Sequence, residues 1–140
     1  MIEHTADARA LGIDEQLVSE LVDHFYARIR DDARLGPIFD GAIGEGWDAH
    51  LDRMKLFWSA VALKAGGFSG NPTAVHRRLD GVVPEDFDRW LRLFEETLVE
   101  LGVTDEILGF FLERARTIAQ SLKLAMFGFR GQVTRTLPTF

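Results

Sequence analysis

The sequence predicts an all-α fold in a single domain. Its 140 residues correspond to one domain at the usual ~100–200 residues per domain. Apolar residues recur at helical spacing in four long segments, and no two segments show the alternation that is typical of paired strands. Apolar residues make up 46% and charged residues 27% of the chain, a composition that is typical of globular proteins. A chain of this length buries roughly two-thirds of its unfolded surface, which is enough for one core.

The first long helix is predicted to follow Asp14, a candidate N-cap. Its apolar residues share one helix face, and they are Leu17, Val18, Leu21, Val22, Phe25, Tyr26 and Ile29. We expect this helix to end near Asp32, before a turn-rich stretch over residues 35–39 that contains glycine and proline. Residues 1–12 are expected to form a flexible tail.

The second long helix is predicted to end at Gly66-Gly67. Its apolar stripe consists of Trp47, Leu51, Met54, Phe57, Trp58 and Val61. The connection that follows, residues 66–83, contains one short helical candidate, which begins at Asn71-Pro72 and carries His76. A connection of this length exceeds what a compact helix bundle needs. We therefore expect another group to order it.

The third and fourth long helices are predicted to begin at Pro84 and after Thr104. Acidic residues in their first turns suit the positive end of the helix dipole. The third stripe consists of Phe87, Trp90, Leu91, Phe94, Leu98 and Leu101, and Gly102 ends it. The fourth consists of Ile107, Leu108, Phe111, Ala115, Ile118, Ala119, Leu122 and Met126. Residues 128–140 are expected to form a second flexible tail.

Composition excludes several classes of function. The chain has no cysteine, which excludes disulfides, thiolate zinc sites, iron–sulfur clusters, thiolate-ligated haem and covalent c-type haem. The net charge of −6 argues against nucleic acid as a partner. No apolar run approaches the ~20 residues that span a bilayer, and the N-terminus lacks the pattern of a signal peptide. We therefore expect a cytoplasmic protein without a membrane partner.

Common catalytic motifs are absent from the sequence, so we predict no catalytic residue. Motifs of phosphate-binding loops, dinucleotide folds, serine hydrolases, zinc proteases and calcium loops are all missing. A di-iron bundle needs Glu-x-x-His pairs, but Leu21 and Trp47 stand three residues before His24 and His50. Metal chemistry therefore has to use single histidines.

The four histidines differ in their settings. His4 lies in the expected N-terminal tail and His24 on the flank of the first long helix, so neither is expected to bind anything. His50 lies on the apolar side of the second long helix, where a partly buried structural histidine is one interpretation and a ligand is the other. His76 lies inside the long connection, and ligation there would explain how that segment is held.

Four short motifs follow one another along the chain. They are Phe25-Tyr26 with the Leu-Gly-Pro-Ile-Phe of residues 35–39, His50 with Phe57-Trp58, the Gly-Asn-Pro of residues 70–72 with His76, and Pro84 with Phe87 and Trp90-Leu91. Together they resemble the third group of truncated haemoglobins over roughly residues 14–127. The resemblance implies a globin-like, truncated two-over-two helical sandwich around haem, with residues 1–140 as a single globin domain.

The resemblance also assigns the residues around the haem iron. It makes His76 the proximal ligand, Tyr26 and Trp90 the donors of distal hydrogen bonds, and His50 the distal histidine. A neutral imidazole is a competent axial ligand, and b-type haem needs no thiol. Tyr26 O–H and Trp90 N–H are hydrogen-bond donors on otherwise apolar side chains, so they suit O₂, which gains negative character when it binds.

Further residues are assigned to the haem periphery by the same resemblance. Phe39 matches the aromatic residue that packs against the haem edge, and Arg53 matches a position that pairs with a haem propionate. The apolar lining is expected to comprise Met54, Phe57 and Ile118. Either His50 or Met54 can occupy the sixth iron position in the resting state, and the sequence leaves this open.

The resemblance implies a haem b protein that binds O₂ reversibly, with CO, NO and cyanide as further haem ligands. An electron-donor reductase is a further partner that the sequence does not identify. One alternative is a peroxidase-like or nitric-oxide and peroxide detoxifying activity, in which His50 acts as a general base on peroxide. The alternative from a different class is a helical interaction module without haem. Oxygen binding is the leading interpretation, with redox activity of the haem as an open question.

Overall fold

The computed structural model describes residues 4–64 and 81–128. Within these two ranges the chain is all-α, as predicted, and contains no strand. The helices are α1 (His4–Leu11), α2 (Glu15–Asp31), α3 (Leu35–Ile43), α4 (Trp47–Leu63), α5 (Glu85–Glu100) and α6 (Asp105–Phe127). None of these helices is both long enough and apolar enough to cross a membrane. The short helix predicted around His76 and the tail predicted over residues 129–140 lie outside the described residues.

Two pairs of helices enclose the core. α2 packs against α4, and α5 packs against α6, while contacts between α2 and α5 join the two pairs. Phe25, Phe94 and Phe111 are fully buried at the centre, and the rings of Phe25 and Phe94 meet edge-to-face with centroids 5.0 Å apart. This arrangement agrees with the two-over-two sandwich that the family resemblance implied.

Two of the long helices, α2 and α6, begin directly after their predicted caps. The Asp14 carboxylate accepts a hydrogen bond from the Leu17 N–H at 2.9 Å, and the Thr104 hydroxyl oxygen accepts one from the Ile107 N–H at 3.2 Å. Each cap satisfies a backbone donor that the first turn of a helix leaves without a partner. α4 ends at Leu63, three residues before the glycine pair at which the sequence predicted its end.

The N-terminal segment differs from the predicted flexible tail. Residues 4–11 form α1, in which Ala8 is fully buried, and α1 lies against α4 and α6. The Arg9 guanidinium pairs with the Glu15 carboxylate at 2.8 Å and so links α1 to α2. A helix this short is marginal on its own and depends on its tertiary contacts. Periodicity therefore gives little signal for it.

The stretch over residues 35–39 also differs from the prediction, because it is the first half of helix α3. The Asp32 carboxylate accepts hydrogen bonds from the N–H groups of Arg34 and Leu35 at 3.0 and 2.8 Å, which starts the helix. Pro37 lies in the first turn, where its missing N–H costs no helical hydrogen bond. A Cβ at Gly36 would lie 2.6 Å from the Arg30 carbonyl oxygen, so only glycine allows α3 to start this close to α2.

Candidate functional site

Tyr26 lies among aromatic side chains where α2, α3 and α4 meet. It is only 3% exposed. Its ring centroid lies 5.0 Å from that of His50 and 6.0 Å from that of Trp47, both in edge-to-face geometry. The rings of Trp47 and His50 are themselves 5.8 Å apart. We call Tyr26, Trp47 and His50 the three-ring cluster.

Burial favours the protonated form of the Tyr26 hydroxyl. Burial raises its pKa well above the usual value, and burial is the only cause, so neither a charged group nor a hydrogen bond contributes to the shift. A protonated phenol is both a donor and an acceptor of hydrogen bonds. Tyr26 therefore provides a hydrogen-bond donor on an otherwise apolar ring.

A small cavity, which we call the Tyr26 cavity, adjoins this residue. Its volume is about 20 Å³, which is enough for one water-sized or diatomic molecule. Its lining comes from α2, α4, α5 and α6, and comprises Tyr26, Met54, Phe57, Trp58, Trp90, Ile118 and Leu122. Five of these were predicted as site residues: Tyr26, Met54, Phe57, Trp90 and Ile118. Apart from the Tyr26 hydroxyl and the indole N–H groups, the lining side chains offer no hydrogen-bond donor.

A second cavity, which we call the Phe39 cavity, lies next to the Tyr26 cavity. Its volume is about 30 Å³, and its lining comprises Leu35, Phe39, Val82, Asp86, Phe87, Trp90 and Leu122. Trp90 and Leu122 line both cavities, so the two adjoin. The Trp90 indole stacks on Phe94 at 5.8 Å and meets Phe25 edge-to-face at 5.4 Å, which fixes its plane.

Four charged residues, which we call the ionic corner, join the start of α3 to the start of α5. Arg34 donates to both carboxylate oxygens of Asp86 at 2.9 and 2.8 Å, and to the Gly81 carbonyl at 2.7 Å. Arg89 donates to Asp32 at 2.7 Å. The hydrogen bond from Arg89 lowers the pKa of Asp32, and that from Arg34 lowers the pKa of Asp86. Asp86 also lines the Phe39 cavity, so the ionic corner holds one of its walls.

The remaining predicted site residues occupy different settings. His50 contacts the Tyr26 ring, and its Nε2 atom is buried. Arg53 lies on the exposed face of α4 and lines neither cavity. His24 is exposed. His76, the predicted iron ligand, lies outside the described residues.

Sequence reasoning assigned Trp47 and Asp86 no role at the site. Trp47 stands three residues before His50, so both side chains lie on one face of α4, and this spacing is a local signal for their contact. Asp86 was interpreted only as a favourable charge at a helix start. Its partner Arg34 is 52 residues away in the chain, so no local pattern points to the pair.

The chemistry of the described side chains fits a haem group. Within residues 4–64 and 81–128, no group of three or more histidine and carboxylate side chains is placed to hold a bare metal ion. Haem instead needs broad apolar walls and one axial imidazole, and the walls here are rich in Phe, Trp, Leu and Met. Both cavities are smaller than the ~300–1,000 Å³ of a typical ligand pocket. The described residues thus match the walls of such a site in chemical type.

Comparisons with known proteins place the chain in a family. No protein-family model matches it. It is 34% identical over 122 residues to the group 3 truncated haemoglobin ctb of Campylobacter jejuni, covering 85% of this chain and 95% of that protein. It also matches the crystal structure of the group III truncated haemoglobin from Campylobacter jejuni with a TM-score of 0.74 and 34% identity, over 79% of this chain and 89% of that one. These similarities favour neither a peroxidase-like activity nor a helical module without haem. The chain belongs to the group 3 truncated haemoglobins, which are haem-binding globins that bind O₂.

Proposed function

We propose that the chain binds b-type haem through His76 and holds O₂ beside Tyr26 and Trp90. The observation that carries this proposal is the Tyr26 cavity, where a protonated buried hydroxyl and an indole adjoin otherwise apolar walls. When bound, haem supplies an iron atom that takes small diatomic ligands, and CO, NO and cyanide serve as probes of the same position. The side chains determine how long such a ligand stays.

Tyr26 and Trp90 act as hydrogen-bond donors toward the ligand. Tyr26 retains its proton because of its burial, and the Trp90 indole is fixed by two aromatic neighbours. A hydrogen bond to a partner that carries charge contributes ~1.5–3 kcal/mol. This corresponds to roughly ten- to a hundredfold slower ligand dissociation. We therefore assign retention of O₂ to these two donors.

The apolar residues exclude water and support the cofactor. Met54, Phe57 and Ile118 line the Tyr26 cavity, where an apolar lining strengthens each remaining hydrogen bond because it lowers the local dielectric constant. Phe39 lines the adjoining cavity and suits the haem edge. Arg53 is exposed on α4, a setting from which a guanidinium can pair with a propionate at the rim of the site.

His76 is the proposed axial ligand, and its substitution tests the cofactor assignment. We expect purified His76→Gly protein to lose haem, or to hold it so weakly that the Soret absorption is largely gone, because no other axial imidazole is assigned. Free imidazole added to His76→Gly should restore part of the absorption. His24→Ala, which removes an exposed histidine, is the matched control and should retain haem. Normal haem content in His76→Gly contradicts the assignment.

Substitution of the two donors tests the proposed retention of O₂. Tyr26→Phe and Trp90→Phe should each speed O₂ dissociation by roughly ten- to a hundredfold, since each removes one hydrogen bond to the ligand. Stopped-flow kinetics measures the rate directly. Met54→Leu changes the wall of the same cavity but removes no N–H or O–H donor, so it should have a much smaller effect. Unchanged rates in both donor variants would refute their role and leave the haem assignment intact.

A further inference from the structure

Trp47 is fixed from the solvent side by contacts with two other helices. Its indole N–H donates to the Asp40 carboxylate of α3 at 2.9 Å. The Arg30 guanidinium at the end of α2 lies over the indole ring, with its central carbon 4.4 Å from the ring centroid. Arg30 also approaches Asp40 at 3.5 Å. The indole, which is 7% exposed, therefore has a hydrogen bond at its edge and a cation on its face.

The inner side of Trp47 contacts both other members of the three-ring cluster. Its ring meets His50 at an interplanar angle of 89° and Tyr26 at 62°. The rings of His50 and Tyr26 meet each other at 86°. Each ring thus touches the other two in edge-to-face geometry, which is a favoured arrangement for aromatic pairs. Rotation of the His50 ring disturbs both of its ring contacts.

We infer that Trp47 is a positioning residue that fixes the His50 imidazole beside Tyr26 and so sets the polarity that a ligand in the Tyr26 cavity meets. His50 and Trp47 lie one helical turn apart on α4. The helix backbone places the two side chains on one face, but it does not by itself fix the side-chain torsions of His50. Packed side chains occupy defined rotamers because their neighbours exclude the alternatives. Trp47 is one of the two rings that contact His50, and Asp40 and Arg30 hold Trp47 in place. This inference rests on the proposed function, in which Tyr26 donates to the ligand; His50 contacts the Tyr26 ring but does not itself line the Tyr26 cavity.

The C–O stretching band of the CO complex, recorded by infrared spectroscopy, tests the inference because its frequency depends on polar groups near the ligand. The variants are Trp47→Ala, His50→Ala and the double variant. We expect one main band in the unsubstituted protein and a shifted band in His50→Ala. Trp47→Ala should split or broaden the band toward the His50→Ala position. In the His50→Ala background, Trp47→Ala should add no further shift.

Two further variants distinguish the positioning role of Trp47 from a general loss of stability. Leu98→Ala removes a fully buried core side chain on α5 that belongs to neither the three-ring cluster nor the cavity linings, and its CO band should match that of the unsubstituted protein. Trp47→Phe loses the hydrogen bond to Asp40 but keeps an aromatic ring against His50. Because the ring remains, this variant should broaden the band less than Trp47→Ala. If Trp47→Ala does not fold, Trp47→Phe and Asp40→Ala carry the same test.

The outcomes separate this inference from the proposed function. A shifted band in His50→Ala together with unchanged bands in the Trp47 variants overturns the positioning role and leaves the proposed function in place. An equal shift from Trp47→Ala with and without His50 also overturns it, because Trp47 then acts independently of His50. A CO complex that fails to form in the unsubstituted protein overturns the proposed function itself.

Discussion

The three-ring cluster and the ionic corner use polar groups in opposite ways. In the ionic corner, each carboxylate side chain is 9% exposed and accepts hydrogen bonds from a guanidinium and from at least one backbone N–H group. Asp32 is bonded to Arg89 and to the start of α3, and Asp86 is bonded to Arg34 and to the Val83 N–H at 2.9 Å. In the three-ring cluster, the contacts of Tyr26 are ring edges and faces, and no hydrogen bond contributes to the pKa of its hydroxyl.

The difference separates groups that hold the fold from groups that can serve a ligand. Buried polar groups in proteins are normally satisfied by protein partners. The carboxylates of the ionic corner accept hydrogen bonds from arginine side chains and backbone N–H groups, and they therefore contribute to stability. The Tyr26 hydroxyl adjoins a cavity instead. Mutations in the two regions should therefore separate stability from ligand binding.

Among the changes compared below, Arg34→Met in the ionic corner is expected to have the largest effect on stability. This change leaves the Asp86 carboxylate, 9% exposed, without its bidentate partner. Hydrogen bonds to charged groups contribute ~1.5–3 kcal/mol, and we expect a loss of unfolding free energy in that range. The Arg34 side chain is itself 42% exposed, which keeps the loss below the ~3–5 kcal/mol seen when fully buried pairs are broken. Urea unfolding of the purified protein measures it.

Arg9→Met is the matched control for that change. It breaks the pair of Arg9 with Glu15, whose side chains are 46% and 62% exposed. Exposed pairs contribute about 0–1 kcal/mol, so the control should be close to neutral. If Arg34→Met costs no more than Arg9→Met, then the ionic corner does not hold α3 to α5.

Local sequence signals predicted much of the fold because the helix caps are local. Asp14 and Thr104 each bond an N–H group three residues later, so sequence alone places those helix starts. Gly36 and Pro37 were interpreted as turn signals, yet they lie in α3. Their helical role depends on a close approach to the Arg30 carbonyl and on the Asp32 cap. Such approaches become visible only once the elements are packed.

The candidate site was predictable only in part, for the same reason. Periodicity alone marks Tyr26, Met54, Trp90 and Ile118 as core residues, and it was the family resemblance that assigned them to a ligand site. The structure brings them together around one cavity. The pairs of the ionic corner join residues 52 and 57 positions apart. Nothing in the local sequence indicates which arginine meets which aspartate.

A smaller effect is expected on how the unfolding free energy changes with pH under acidic conditions. The pKa values of Asp32 and Asp86 are lowered in the folded protein by their arginine partners. A group with a lowered folded pKa contributes stability above its unfolded value of ~3.9, and that contribution is lost as the pH falls through the folded value. Asp86→Asn removes one such group, so its unfolding free energy should fall less steeply than that of the unsubstituted protein below about pH 5. Parallel slopes in urea titrations at a series of pH values contradict this.

The smallest effect on stability at neutral pH is expected for Tyr26→Phe in the three-ring cluster. The hydroxyl adds no hydrogen bond that shifts its own pKa, so its removal should change the unfolding free energy by less than about 1 kcal/mol. At alkaline pH the dependence of stability on pH has the opposite sign from that of the ionic corner, whose contribution is lost as the pH falls. Because burial raises the folded pKa, the unfolded chain ionises first, and stability is lost as the pH rises above ~10. Tyr26→Phe should remove that loss.

Tyr26 is the only tyrosine in the chain, so ultraviolet difference absorbance of tyrosinate follows this one group. The folded protein should show no tyrosinate signal at a pH at which the urea-unfolded chain is fully ionised. Ionisation of the folded protein at the ordinary pKa would contradict the burial on which the donor role depends. A Tyr26→Phe protein that is stable at neutral pH yet releases O₂ faster shows that this hydroxyl serves the ligand. A large loss of stability assigns it to the fold, together with the ionic corner.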